Sequence, residues 1–211
     1  MTHGDDHITV YSDYVCPFCY LGKQSLKTFQ DGRDEAVPVE WHPYDLRSYK
    51  RGPDGELDQS MDMSKSDSYM DQVREKVTRL QDTLDADEML SLDERPENVD
   101  SFDAQVASVY VDAEHPDQWA AFDDALFEAL WVDGRAIGDG DVLAALADDV
   151  GLDGAEIRTA VTDEQRRDQV LDLFAAAEER GVSGVPTFSA GETTTSGVAS
   201  PDELAALVDG V

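Results

Sequence analysis

The chain has 211 residues, 41% of them hydrophobic, which suits one domain with an insertion or two small packed domains and excludes collagen-like and wholly disordered readings. Its 47 Asp and Glu against 16 Lys and Arg give a net charge of −31, which argues against nucleic acid and anionic membranes as partners. No apolar run approaches the roughly 20 residues that cross a bilayer, and the stretch Met1 to Asp6 has neither a basic n-region nor a hydrophobic h-region; the expectation is a soluble, cytosolic protein.

In chain order, Ile8 to Tyr14 starts with β-branched alternation and reads as a strand. Pro17 suits the first position of a helix that runs, with apolar residues at helical spacing, to the stop at Asp31-Gly32. Val37 to Tyr44 predicts a second strand and completes a βαβ unit. Asp45 to Asp62, with Gly52-Pro53-Asp54-Gly55 and little periodicity, predicts a long loop. Helical patterns follow at Ser64 to Leu84, Ser101 to Ala113, Pro116 to Val132, Asp141 to Val150, Asp153 to Val161 and Asp163 to Arg180. Val185 to Ala190 and Thr193 to Ser196 read as strands around a Gly191-Glu192 turn, and Pro201 to Val208 as a last helix. The order is βαβ, a helical block, then αββα, so residues 63–162 are expected to be a helical insertion in a discontinuous unit formed by 1–62 and 163–211.

Both cysteines lie in Cys16-Pro17-Phe18-Cys19, after a strand and at a helix start. Free N–H groups and the positive end of the helix dipole favour a thiolate there, which makes Cys16 the expected exposed nucleophile. Cys19, one turn further in and more buried, is placed to displace a mixed disulfide as the resolving thiol. Two other readings stand beside redox chemistry. One is half of a zinc site completed from His3, His7, His42 and His115; the other is a structural disulfide. Phe18 and Pro17 are candidates for an apolar substrate rim beside the sulfur. In Gly181 to Phe188 a glycine-flanked turn brings Val185-Pro186 to a strand start, where the proline is either a plain edge proline or a cis residue that leaves the Val185 backbone open to a substrate strand. Trp41, Trp119, Phe122, Phe127 and Trp131 are expected in the core rather than on a substrate platform, and His42 and His115 as surface or satisfied core groups.

Ser12 to Lys23, the Asn98 region, Leu126 to Leu130, Gly181 to Phe188 and Ser196-Gly197 together resemble the DsbA-like family of the thioredoxin superfamily, in its FrnE-like branch. The resemblance implies an α/β thioredoxin fold with an all-helical insert. It implies Cys16 as nucleophile, Cys19 as resolving thiol and Pro186 as a cis-proline beside them. It also implies no cofactor beyond the redox-active pair, with protein or low-molecular-weight thiols and disulfides, including a possible small-thiol cosubstrate, as partners. Related 2-hydroxychromene-2-carboxylate isomerases and kappa-class glutathione transferases carry serine where this chain has Cys16. An isomerase or transferase using a thiol cofactor is therefore one alternative, and a redox-controlled binding module another. The dipeptide Pro17-Phe18 lacks the histidine of secreted DsbA proteins. Val10 stands where thioredoxins bury an acid, which leaves Asp13 as the nearest candidate for proton transfer, against a solvated or helix-capping role. With 32 Asp but five Lys, the charge bias resembles that of proteins from salt-in halophiles, in which salt screens self-repulsion.

Overall fold

The computed structural model describes residues 7–58, 60, 61 and 66–210. The expected helix start at Ser64, the boundary at residues 62 and 63, and His3 lie outside them. The elements are β1 (Ile8–Ser12), α1 (Pro17–Asp31), β2 (Val39–Pro43), α2 (Asp67–Thr83), α3 (Phe102–Glu114), α4 (Pro116–Trp131), α5 (Gly140–Asp149), α6 (Gly154–Thr162), α7 (Glu164–Glu179), β3 (Thr187–Ala190), β4 (Thr193–Ser196) and α8 (Pro201–Asp209).

The strands form one sheet in the order β2-β1-β3-β4. β1 pairs in parallel with β2, Ile8 opposite Val39 and Ser12 opposite Pro43, and antiparallel with β3, Val10 opposite Phe188. The parallel pair requires a crossover, and α1 supplies it. A cluster of Ile8, Phe29, Val37, Phe188, Leu204 and Leu207 joins the sheet to α1 and α8. A second and larger cluster starts at Tyr14, Cys16, Cys19 and Leu21 and continues through Phe122, Leu130, Leu143 and Ile157. The first turn of α1 is therefore packed into the helices that follow β2 in sequence, which fixes the position of the two cysteines.

Local chemistry accounts for most of the ends. Pro17 occupies the first turn of α1, and Ser200 and Glu203 form a reciprocal capping box at α8, which stops at Gly210 in the left-handed conformation. β1 is shorter than the sequence suggests, because Asp13 leaves the strand and turns the chain: its carboxylate accepts from Val15 N at 3.2 Å. β3 starts at Thr187 rather than Val185, since Pro186 has no N–H to give a ladder; its carbonyl accepts from Gly197 N at 2.8 Å.

The segment from Asp45 onward is more ordered than its composition suggests. A 3₁₀ turn spans Ser48–Lys50, and Arg51 bridges to Leu57. The Arg51 side chain is buried and donates to Asp45 at 2.5 Å, to Asp100 at 2.8 Å and to the Gly55 carbonyl at 2.8 Å. Its guanidinium lies over one side of Phe102 at 4.8 Å, with Arg167 over the same ring at 4.5 Å. One buried cation thus ties this segment to the start of α3, a contact that no local periodicity announces.

Candidate active site

The candidate site is built where β1 ends and α1 begins. The Cys16 backbone N–H donates to the Asp13 carbonyl at 3.0 Å, and the Cys16 carbonyl accepts from Cys19 N at 3.1 Å and Tyr20 N at 3.3 Å. Cys16 is thus the N-cap residue of α1, with Pro17 behind it. Both cysteines are free thiols. The expectation that Cys16 is exposed and Cys19 buried needs correction: the two are 3% and 2% exposed. The Val185 carbonyl in the turn before β3 lies against Cys16 Sγ, and exposure does not distinguish the two sulfurs.

Their positions do distinguish them: Cys16 is the N-cap of α1 and Cys19 lies inside the helix. Burial, followed by the neighbouring Cys16 thiol, pushes the Cys19 thiol well above its ordinary range, against weaker pulls from Ser12 and the Asp13 backbone. Cys16 Sγ, which also meets the Cys19 side chain, donates to the Val185 carbonyl at 3.6 Å. The Val185-Pro186 peptide is cis. Pro186 is buried, and a side chain at Gly22 would meet its Cγ at 3.0 Å, so α1 and the turn before β3 are in direct contact. Val185 is half-buried. Phe18 is also half-buried, packed against the main core with the Lys76 ammonium of α2 5.0 Å from the centre of its ring.

Asp13 is neither solvated nor a cap of α1. It is completely buried, and its carboxylate accepts from Val15 N, from Leu46 N at 3.0 Å and from Ser101 Oγ at 2.5 Å. Burial pushes it up to about 6, even though these three hydrogen bonds pull it down. Among the described residues no hydrogen bond joins its carboxylate to either sulfur; it fastens β1 to the segment after β2 and to the start of α3. A buried acid does exist beside the cysteines, three residues before Cys16 rather than at Val10.

Of the five aromatic residues placed in the core, Phe122, Phe127 and Trp131 are buried, and Trp41 and Trp119 pack against the core half-buried. Trp131 Nε1 donates to the Tyr14 carbonyl at 2.8 Å, which holds the turn before Cys16 onto α4. Tyr14 donates to Asp123 at 2.7 Å, and Asp123 pairs with Lys23 of α1. Burial opposes the Lys23 charge, but Asp123 and Asp124 outweigh it and raise its pKa. His42 is buried beside Tyr11, and His115 meets Glu156 at 3.3 Å.

Sequence reasoning missed two features. Behind Cys19, a cavity of about 160 Å³ is bounded by Val10, Ser12, Trp41, Trp119 and Phe127. On the other side, Arg95 lies in the connection between α2 and α3, close enough to Cys16 for the thiol to act on its charge. Nothing in a lone arginine between Glu94 and Pro96 signals such a place.

The same architecture is found in other proteins. A probable DsbA oxidoreductase from Streptomyces coelicolor is similar over 99% of this chain and 88% of its own, with a TM-score of 0.74 at 19% identity. A 2-hydroxychromene-2-carboxylate isomerase is similar over 96% and 93%, with a TM-score of 0.75 at 22% identity. In sequence, the uncharacterized protein YwbO of Bacillus subtilis (strain 168) is 32% identical over 197 residues, 93% of this chain and 92% of that protein. The model of the DSBA-like thioredoxin domain matches residues 7–209, and with it the chain belongs to the DsbA-like thioredoxin family.

Proposed function

We propose that the protein is a thiol-disulfide oxidoreductase working through Cys16 and Cys19 on protein or small-thiol substrates. The observation that carries this reading is the asymmetry of the pair: Cys16 caps the helix and faces the Val185 carbonyl, whereas Cys19 is held as a thiol by burial. In the reducing direction, the Cys16 thiolate attacks one sulfur of a substrate disulfide. The substrate S–S bond breaks and one thiolate leaves. Cys19, on losing its proton, attacks Cys16 Sγ and expels the second thiolate, so two electrons pass to the substrate and the pair ends as a disulfide. The reverse sequence oxidises a dithiol. The half-buried Val185 backbone is the surface against which an extended substrate lies, with Pro186, Pro17 and Phe18 around it.

The reading needs no cofactor beyond the two sulfurs, and we place the protein in the cytosol. No described helix is long and apolar enough to cross a membrane. Disulfide exchange also separates this reading from an isomerase or transferase using the same cleft. The Cys19→Ser chain is expected to accumulate mixed disulfides with substrate, and the Cys16→Ser chain none. Exchange at an undiminished rate after Cys16→Ser overturns the proposal.

A further inference from the structure

A cavity of about 520 Å³ opens beside Val15, the residue before Cys16, between the segment after β2 and the α2–α3 connection. In a chain with 16 basic residues and 47 acidic ones, this cavity is lined by Arg47, Lys50 and Arg95, against one acid, Glu97. Seven of the basic residues form ion pairs elsewhere, such as Arg51 with Asp45 and Lys23 with Asp123; among the described residues these three form none.

Arg95 is the least satisfied of the three. Its Nε and Nη1 are buried and have no hydrogen-bond acceptor among the described residues. Buried guanidinium donors without acceptors are costly, and a fork of this kind matches a carboxylate. The side chain is positioned from behind: its guanidinium lies 4.9 Å from the centre of the Trp131 ring, which is wholly buried. Its backbone is anchored by Leu90 N to the Trp131 carbonyl at 2.6 Å and by a turn in which Glu94 accepts from Ser91 N at 3.0 Å. Burial, and next the Arg47 charge, weaken its hold on its proton, and the Cys16 thiol acts in the opposite sense. Arg95 and Arg47 thus feel each other's charge, neither forms an ion pair among the described residues, and Arg95 lies within electrostatic reach of the Cys16 sulfur.

We propose that Arg95, assisted by Arg47, binds the carboxylate of a low-molecular-weight disulfide or thiol while that substrate's sulfur meets Cys16. This rests on the oxidoreductase reading and names its substrate class. The cavity has the size of a small-ligand site. The net charge of −31 repels acidic proteins as a whole, whereas a small carboxylate needs only the local cations.

The test uses the reduced full-length chain at constant high salt with two aromatic disulfides, dithiobis(nitrobenzoate), which carries a carboxylate on each ring, and dithiodipyridine, which carries none. Each reagent is reduced by two electrons from the Cys16–Cys19 dithiol, so no other reductant is required. The readout is the ratio of the two rate constants, carboxylate reagent over neutral reagent. Arg95→Gln is expected to lower this ratio about 10- to 100-fold, with Arg95→Lys in between and Arg47→Gln acting in the same direction. If Arg95→Gln does not fold, Arg47→Gln and Arg95→Lys decide the matter by the same ratio. A ratio within twofold of the unmutated chain in every folded variant overturns the carboxylate site and leaves the oxidoreductase reading intact. A native chain that reacts with either reagent no faster than its unfolded thiols overturns both.

Discussion

Cys16 Sγ lies 3.6 Å from the carbonyl oxygen of Val185, across 169 positions of sequence. Beside that approach, Gly22 is where α1 meets the turn before β3 with little room for a side chain. A Cβ there would stand 3.0 Å from Pro186 Cγ and 3.3 Å from Phe188 Cζ. Gly22→Ala is expected to destabilise the protein by about 1–3 kcal/mol through overpacking, although alanine favours the helix itself. Denaturant melts measure the loss; a Gly22→Ala chain as stable as the native one shows that the two elements yield without cost.

Cys19 should be the slower thiol in any alkylation experiment. Burial is the largest cause of its raised pKa, and that cause survives removal of the neighbouring sulfur. In the Cys16→Ser chain, the rate of iodoacetamide modification followed by mass spectrometry should still be climbing above pH 9. A plateau near pH 8 contradicts the assignment.

Asp13 makes stability depend on pH in an unusual direction for a carboxylate. Its pKa is raised from 3.8 to about 6, so the folded state holds the proton more tightly than the unfolded state does. The resulting cost is absent below about pH 3.8, grows as pH rises towards 6 and is complete above it, reaching about 3 kcal/mol. Asp13→Asn removes this dependence along with one acceptor. The unfolding free energy of the native chain minus that of Asp13→Asn should therefore fall by about 2–3 kcal/mol between pH 4 and pH 7.5. A difference that is flat or rises with pH refutes it.

Arg51 carries a buried charge that holds Asp45 and Asp100 together. Arg51→Met leaves the Asp45 side chain, 1% exposed, without its partner. The expected loss is about 3–5 kcal/mol, and adding Asp45→Asn should recover part of it, because the second change removes the unpaired charge. Urea titrations of the two variants provide the comparison. An additive loss in the double variant excludes the pairing as the cause.

Charge predicts a salt requirement. A net charge of −31 opposes the compact state through self-repulsion, and the Debye length falls from about 10 Å at 0.1 M to about 3 Å at 1 M. The melting temperature should rise by several degrees or more from 0.1 M to 3 M KCl, with most of the gain below 1 M where screening changes fastest. A flat or falling melting temperature counts against the halophilic reading of the composition.

The sequence by itself determined the features that rest on neighbours in the chain. The strand before Cys16, the helix opened by Pro17, the hairpin turn at Gly191 and the last helix from Pro201 each follow from periodicity, proline geometry or turn chemistry, and all are present. The meeting of Cys16 with Val185 was expected from the family resemblance that the two segments carry together, since the local pattern at Val185-Pro186 also allowed a plain edge proline. Tertiary structure alone decided which polar groups were taken out of water. Asp13 is buried by Leu46 and by Ser101, 88 residues away, and Arg51 by Asp100, 49 residues away. Arg95 owes its place to Trp131. Whether a charged side chain is solvated, paired or left waiting for a ligand depends on what distant elements pack around it, and an acidic sequence presents every such residue as one more solvated surface charge.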